Sequence, residues 1–403
     1  MESNSAEAPP PTASDVLFQH TPLDLHRKQM RLLRITQNNS SEIKCELENF
    51  TYDVSGKQGT PPYWALSYVW GAESPICHIT INGKPYPIRP NLYNFLRERR
   101  LQSDDNYIWI DQICINQRSV DERNHQVSLM SEIYRNANGV IIWLGKRDEE
   151  AELGLRCFQE FQNPYYCDLS EFLHLPAGTT AGKANIGKWV FLDGGPKLKE
   201  KVIRSINVIF RNPFWTRLWI VQEVLLGRTV FVQQGSLWFH LDAMSRFERM
   251  GFRCDGLIAS PEVAFTARGH TAAWYRQRDL KWMISEFCEF GCQDPRDKVY
   301  GLVGVVECGT TVPVDYGKSA EEVFIDVIIA FLHMWKTESQ EPDKVRKELK
   351  HDVQTLYRLV VNMIPDKVER YFEKNDQDHF RFRLEKLDEW WRATERGKND
   401  DRK

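Results

Sequence analysis

The chain has 403 residues, 42% of them apolar, with 53 basic and 56 acidic side chains and a net charge of −3. Such a length means one large domain with appendages or two domains, and the balanced charge gives no electrostatic case for nucleic acid or an anionic membrane. No apolar run approaches the ~20 residues that cross a bilayer, so no membrane partner is expected. Nine cysteines, an odd number without framework spacing, fit reduced thiols in a cytosolic or nuclear protein, and a cytoplasmic location is expected. Cys288 and Cys292 are the closest pair, but no second pair or histidine partner follows, and no metal site is expected.

In chain order, residues 1–24 read as a disordered leader: Met1 to Ser14 is rich in Pro, Ala and Ser and lacks the apolar core of a signal peptide. Gln29 to Thr36 and Ile43 to Phe50 read as short strands around a polar turn, Gln37 to Ser40, lying against the first central strand. That central strand is Tyr63-Trp-Ala-Leu-Ser-Tyr-Val-Trp-Gly71, where Trp64, Leu66, Tyr68 and Trp70 alternate with smaller residues. Asn82-Gly83 marks a hairpin between two further strands. Asn91 is read as the cap of a helix with Leu92, Phe95 and Leu96 on one face.

Tyr107-Ile-Trp-Ile-Asp111 is an apolar strand stopping on a carboxylate. Ser119 and Glu122 have capping-box spacing, and Val127, Met130, Tyr134 and Ala137 then recur at helical period. Asn138-Gly139 ends that helix, and Val140 to Leu144 is another buried strand. The strand–helix–strand run predicts parallel pairing with a right-handed crossover. Residues 146–200 read as an insertion, loop-like from Pro176 to Gly187. Gly182-Lys-Ala-Asn-Ile-Gly-Lys188 has P-loop spacing, but Trp189 stands where a magnesium-binding Ser or Thr belongs and no strand precedes it, so it reads as a surface loop.

Asn212, Pro213 and Gly227 bracket an aromatic-rich helix carrying Glu223, followed by a strand from Arg228 to Gln234. Farther on come Asp294-Pro-Arg-Asp-Lys-Val-Tyr-Gly-Leu-Val-Gly304, Val314-Asp-Tyr316 and a helix from Ser319. The last stretch, 336–403, is highly charged, with helical patterns at Leu356–Ile364 and Phe380–Trp391.

Three of these blocks, residues 63–71, 107–117 and 212–223, resemble in composition and order the signature of the heterokaryon-incompatibility (HET) domain family of filamentous fungi. The blocks at 294–304 and 314–316 are similar to the distal part of such domains. The resemblance sets a HET domain over 25–335, with the 146–200 insertion inside it and a charged helical tail over 336–403. HET domains in turn look like distant relatives of Toll/interleukin-1-receptor (TIR) domains. Here Ser67-Tyr68 ends the first central strand, Asp111 ends the second, and Trp219 and Glu223 keep the Trp-to-Glu spacing of the third TIR helix. Arg217 and Ile220 depart from that helix's serine and cysteine. The fold class implied is α/β: a TIR-like parallel sheet flanked by helices, with extra N-terminal strands and a C-terminal helical extension.

The same resemblance implies a signalling and cell-death effector acting with a second copy of itself or an upstream sensor. Some TIR domains cleave NAD+, which makes NAD+ a substrate rather than a cofactor, with Glu223 as the catalytic residue. Ser67, Trp70, Asp111, Trp215 and Trp219 would then bind substrate. A carboxylate near the anomeric carbon stabilises an oxocarbenium-like state, and nicotinamide leaves as a neutral ring without a general acid. Trp215, Trp219 and Glu223, four residues apart, are expected on one helix face. Each residue also has a structural reading: Trp215 and Trp219 as core, Asp111 as a turn cap, Glu223 as the ion-pair partner of Arg217 or Arg228. A non-enzymatic module of the same fold is the alternative.

Overall fold

The computed structural model describes residues 17–36, 42–51, 59–101, 106–162, 195–244, 279–307, 309, 311–338, 342–375 and 379–382. Most of the leader, the Gln37–Ser40 turn, the P-loop-like run at 182–188 and the centre of the insertion lie outside the described residues. The chain divides into two compact units. The first takes residues 1–126, 133–214 and 227–256, and the second takes 127–132, 215–226 and 257–403.

The first unit is built on a nine-stranded mixed sheet of order β5-β4-β2-β1-β6-β3-β7-β8-β9. Its strands are β1 Gln29–Ile35, β2 Lys44–Thr51, β3 Tyr63–Tyr68, β4 Cys77–Ile81, β5 Lys84–Ile88, β6 Tyr107–Trp109, β7 Gly139–Trp143, β8 Val230–Gln234 and β9 Leu237–His240. The four central strands β6, β3, β7 and β8 are mutually parallel, as the strand–helix alternation predicts. β7 is buried at all five positions, the continuous apolar pattern of a strand covered on both faces. β6 and β7 do not pair with each other; each lies parallel to β3, one on either side.

The two N-terminal strands pair antiparallel, but they attach to β6, through Leu33 and Ile108, and not to the first central strand. Both edges of β3 are already occupied by β6 and β7, so only the outer edge of β6 is left for them. The hairpin between β4 and β5 forms at Asn82 and Gly83, whose φ values of 48° and 80° are those of a type I′ turn. β5 is an edge strand with Pro85 and Pro87, and the Phe18 amide donates to the Pro85 carbonyl at 3.0 Å.

Asn91 is not a helix cap. The helix Pro90–Leu101 begins one residue earlier, with proline in the first position it favours. The Asn91 amide is drawn elsewhere, donating to the Val69 carbonyl at 2.7 Å and accepting from the Trp143 indole at 3.0 Å. Leu92, Phe95 and Leu96 are buried as the period predicts. Ser119 does cap the helix Val120–Asn136 through the Glu122 amide at 3.2 Å. The Glu122 carboxylate, however, turns to Arg31 and the Asn116 amide.

In the second unit, the helix Ala320–Glu338 starts on a complete capping box, Ser319 and Glu322 each accepting from the other's backbone amide at 3.3 and 2.7 Å. The 356–364 pattern falls in the long helix Pro342–Met363. The helix expected over 380–391 is corrected at its start: His379–Phe382 is a strand paired antiparallel with Phe372–Asn375. Phe380 and Phe382 alternate with arginines, a period of two that outweighs the helical reading. Residues 383–391 lie outside the described residues.

The aromatic helix expected over 212–223 is likewise interrupted. A 3₁₀ turn covers Pro213–Thr216 and an α-helix covers Ile220–Leu226, ending at Gly227 as predicted. Between them the chain forms a parallel bridge from Arg217 to Gly291. The Gly291 amide donates to Thr216 O at 2.7 Å and the Leu218 amide donates to Gly291 O at 2.8 Å. Backbone groups that would continue the helix are thus committed to a distant segment, and Trp215 does not share a helix face with Trp219 and Glu223.

Candidate functional site

At the carboxyl ends of the parallel strands, where open α/β sheets place their ligand sites, the first unit carries a polar cluster. β3 runs out through Val69 to Trp70, and β6 through Ile110 to Asp111. The Trp70 indole donates to Asp111 Oδ2 at 2.8 Å, and the Gln112 backbone amide donates to Asp111 Oδ1 at 2.7 Å. Both carboxylate oxygens are therefore held in a fixed, half-buried orientation. Arg89 lies over the Trp70 ring, 5.1 Å from its centroid, and donates to the Gly71 carbonyl and to Glu73, both at 2.9 Å. The Tyr68 hydroxyl donates to Gln112 Oε1 at 3.0 Å.

Of the residues singled out from the sequence, Trp70 and Asp111 are in direct contact. Ser67 is buried inside β3, opposite Ile142 in register, on the face of the strand away from Tyr68. Sequence reasoning missed Arg89 and misassigned Asn91. The signal for Asn91 was present in Pro90, which already occupies the first helical position and leaves the following residue no capping role.

Trp215, Trp219 and Glu223 belong to the second unit. Trp215 is 1% exposed, a core side chain. Trp219 is half-buried, and its indole donates to Asp297 Oδ2 at 3.0 Å. The Tyr316 hydroxyl donates to the other Asp297 oxygen at 2.6 Å. Asp297 and Tyr316 come from the two distal blocks and fix the Trp219 ring. Glu223 is 2% exposed, with Arg217 Nη1 3.4 Å from its Oε2. The ion-pair partner weighed from the sequence is therefore Arg217.

Three of the described cysteines are poor nucleophiles. Burial pushes the Cys45 and Cys114 thiols up to about 12 and Cys292 to about 11, far above the range of a reactive thiolate. Among the described residues no group of three or more His, Cys, Asp or Glu side chains is arranged to hold a metal ion. No described helix is long and apolar enough to cross a membrane.

Residues 63–223 match the family model described as "Heterokaryon incompatibility protein (HET)". Over 61% of its length the chain is 28% identical to "Heterokaryon incompatibility protein 6, OR allele" of Neurospora crassa. The aligned part is 43% of that relative, so the chain spans less than half of it. No solved structure gives a significant match. The limits of the match coincide with the parts described above: it begins at the first residue of β3, takes in Trp70 and Asp111, and closes on Glu223. Residues 63–223 thus carry the likeness to a HET domain, and the chain around them is similar to a fungal heterokaryon-incompatibility protein.

Proposed function

We propose that the chain is an effector domain of the heterokaryon-incompatibility type, which drives cell death in filamentous fungi by self-association or by engaging an upstream sensor. The HET match and the Neurospora relative support the general reading. Its non-enzymatic form rests on one observation, the state of Glu223. This acid is 2% exposed and already faces the Arg217 guanidinium. An acid compensated by a neighbouring cation has little field left to offer a developing oxocarbenium-like charge.

The Trp70–Asp111 pair favours a second reading, cleavage of NAD+ to nicotinamide and ADP-ribose. In that reading Asp111 and Trp70 of the first unit bind the substrate, and Glu223 is the acid whose charge is put to the test. The test is incubation of the purified chain with NAD+, with and without a crowding agent, and chromatography for nicotinamide. It is run beside Glu223→Gln, which keeps volume and reach but removes charge. The signalling reading expects no nicotinamide from either protein and a lowered Tm for the variant, because Arg217 loses its counter-charge. Nicotinamide release that falls about 100-fold in the variant at an unchanged Tm would instead establish the enzyme.

A further inference from the structure

Away from the carboxyl-edge cluster, the first unit contains a cavity of about 260 Å³ lined chiefly by Trp64, Ile141, Phe231, Gln233, Trp238 and Arg99. The pairing register explains why these side chains meet. Ile141 lies opposite Phe231 and Gln233 lies opposite Trp238. Trp64 lies opposite Gly139, two residues before Ile141. All therefore project from one face of four adjacent strands, β3, β7, β8 and β9. Gly139 makes the arrangement possible, since a Cβ there would come within 2.5 Å of the Trp64 ring and 3.0 Å of Thr229 O.

The aromatic rings are ordered edge to face. Trp64 and Phe231 have centroids 5.8 Å apart at 60°, and Phe231 and Trp238 have centroids 5.4 Å apart at 80°. Such a run of rings in a packed layer is ordinarily covered, yet Trp238 is 49% exposed. Its backbone is anchored, the carbonyl accepting from Gln159 Nε2 at 2.8 Å, and the ring packs edge to face on Phe231. Arg99, in the last turn of the helix Pro90–Leu101, brings a guanidinium to these apolar walls. Burial lowers the Arg99 pKa from its ordinary value, which places the guanidinium in the less polar part of the site.

We propose that this cavity binds a small planar aromatic carboxylate, its ring against Trp64, Phe231 and Trp238 and its carboxylate on Arg99. Aromatic walls select a flat ring, and a guanidinium fork selects a carboxylate. The volume lies just under the roughly 300–1,000 Å³ of sites for drug-sized ligands, which suits a single ring or a fused pair. None of these residues belongs to the Trp70–Asp111 cluster or to the surroundings of Glu223, so the proposal stands independently of NAD+ cleavage.

The probe is 2-naphthoate, titrated calorimetrically into the purified full chain, with the neutral 2-naphthamide as control. We expect saturable one-to-one binding of the acid, weakened about tenfold or more by Arg99→Gln, by Trp238→Ala and by the exchange of acid for amide. Trp238 is half-exposed and its removal spares the core, and the acid-to-amide comparison reads the charge requirement without any substitution. No saturable heat up to the solubility limit of the acid would overturn the proposal. So would equal binding of acid and amide, or binding untouched by Trp238→Ala.

Discussion

Arg31 is 1% exposed in the middle of β1, and every hydrogen bond it makes joins separate pieces of the first unit. Its Nη1 donates to Glu122 Oε1 at 2.6 Å and to the Cys114 carbonyl at 2.9 Å, while Nη2 donates to Glu122 Oε2 at 3.0 Å and to the Thr21 carbonyl at 2.5 Å. Burial works to raise the Glu122 pKa, but the Arg31 hydrogen bond and the Asn116 amide outweigh it and hold the carboxyl below its ordinary value. Arg31→Met strands that carboxylate, and a loss of about 3–5 kcal/mol in urea unfolding is expected. Arg31→Met with Glu122→Leu should lose clearly less, because no charge is left buried alone. The sequence disclosed the cap at Ser119 but not this pair. The capping-box rule sends the Glu122 side chain back toward Ser119, and nothing local reveals an arginine arriving from β1. The Trp70–Asp111 contact was more legible, because residues at the ends of neighbouring parallel strands are brought together by the sheet itself.

At the scale of elements, the strands could be read because their burial imposes a pattern on neighbouring residues. β3 and β7 show it as apolar runs and the β4–β5 hairpin as Asn82-Gly83. The interrupted helix at 213–226 could not be read in that way. Pro213 and Asn212 do signal a helical start, and the Asn212 side chain accepts from the Phe214 amide at 3.0 Å. What breaks the helix is Gly291, remote in sequence, taking the hydrogen bonds of Thr216 and Leu218. Gly139 gives a sharper test of how two elements fit. Gly139→Ala would force a methyl against the Trp64 ring and against a backbone oxygen that cannot retreat. Overpacking of this kind costs about 1–3 kcal/mol. The expected result is a lowered Tm, with partial recovery when Trp64→Phe removes the offending ring atoms.

At the scale of the whole molecule, the helix Pro342–Met363 and the residues that follow it to Tyr371 are integrated into the second unit. Arg358 donates to the Ser285 carbonyl at 2.8 Å and pairs with Glu289, and Lys281 meets Asp352 at 3.1 Å. Glu321, in the first turn of the helix Ala320–Glu338, gathers Lys367, Arg370 and Tyr371, the last two at 2.5 and 2.6 Å. Burial would raise the Glu321 pKa, but hydrogen bonds from these three groups prevail and hold it at about 2, against an ordinary value of 4.5. A carboxyl depressed by folding adds stability above its unfolded pKa and loses it as pH falls through the folded one. The clamp is therefore complete at neutral pH and dissolves between about pH 4.5 and pH 2. Glu321→Gln should be less stable than the parent by about 1 kcal/mol at pH 7. The gap should close as melts are repeated toward pH 2.

The prolines of β5 bear on how copies of this chain can meet. In a two-residue hairpin Ile81 and Lys84 exchange hydrogen bonds, so the backbones of residues 85 and 87 face outward, away from β4. Those are the positions whose N–H groups would recruit a further strand, and both are proline. The outward carbonyl of Pro85 is already taken by the Phe18 amide. An extended segment presented to this border finds its donors deleted and an acceptor occupied, so templated strand addition has no purchase there. Among the described residues, strand addition to this nine-stranded sheet is left only the β9 border, and the other border is closed to amyloid-like spread.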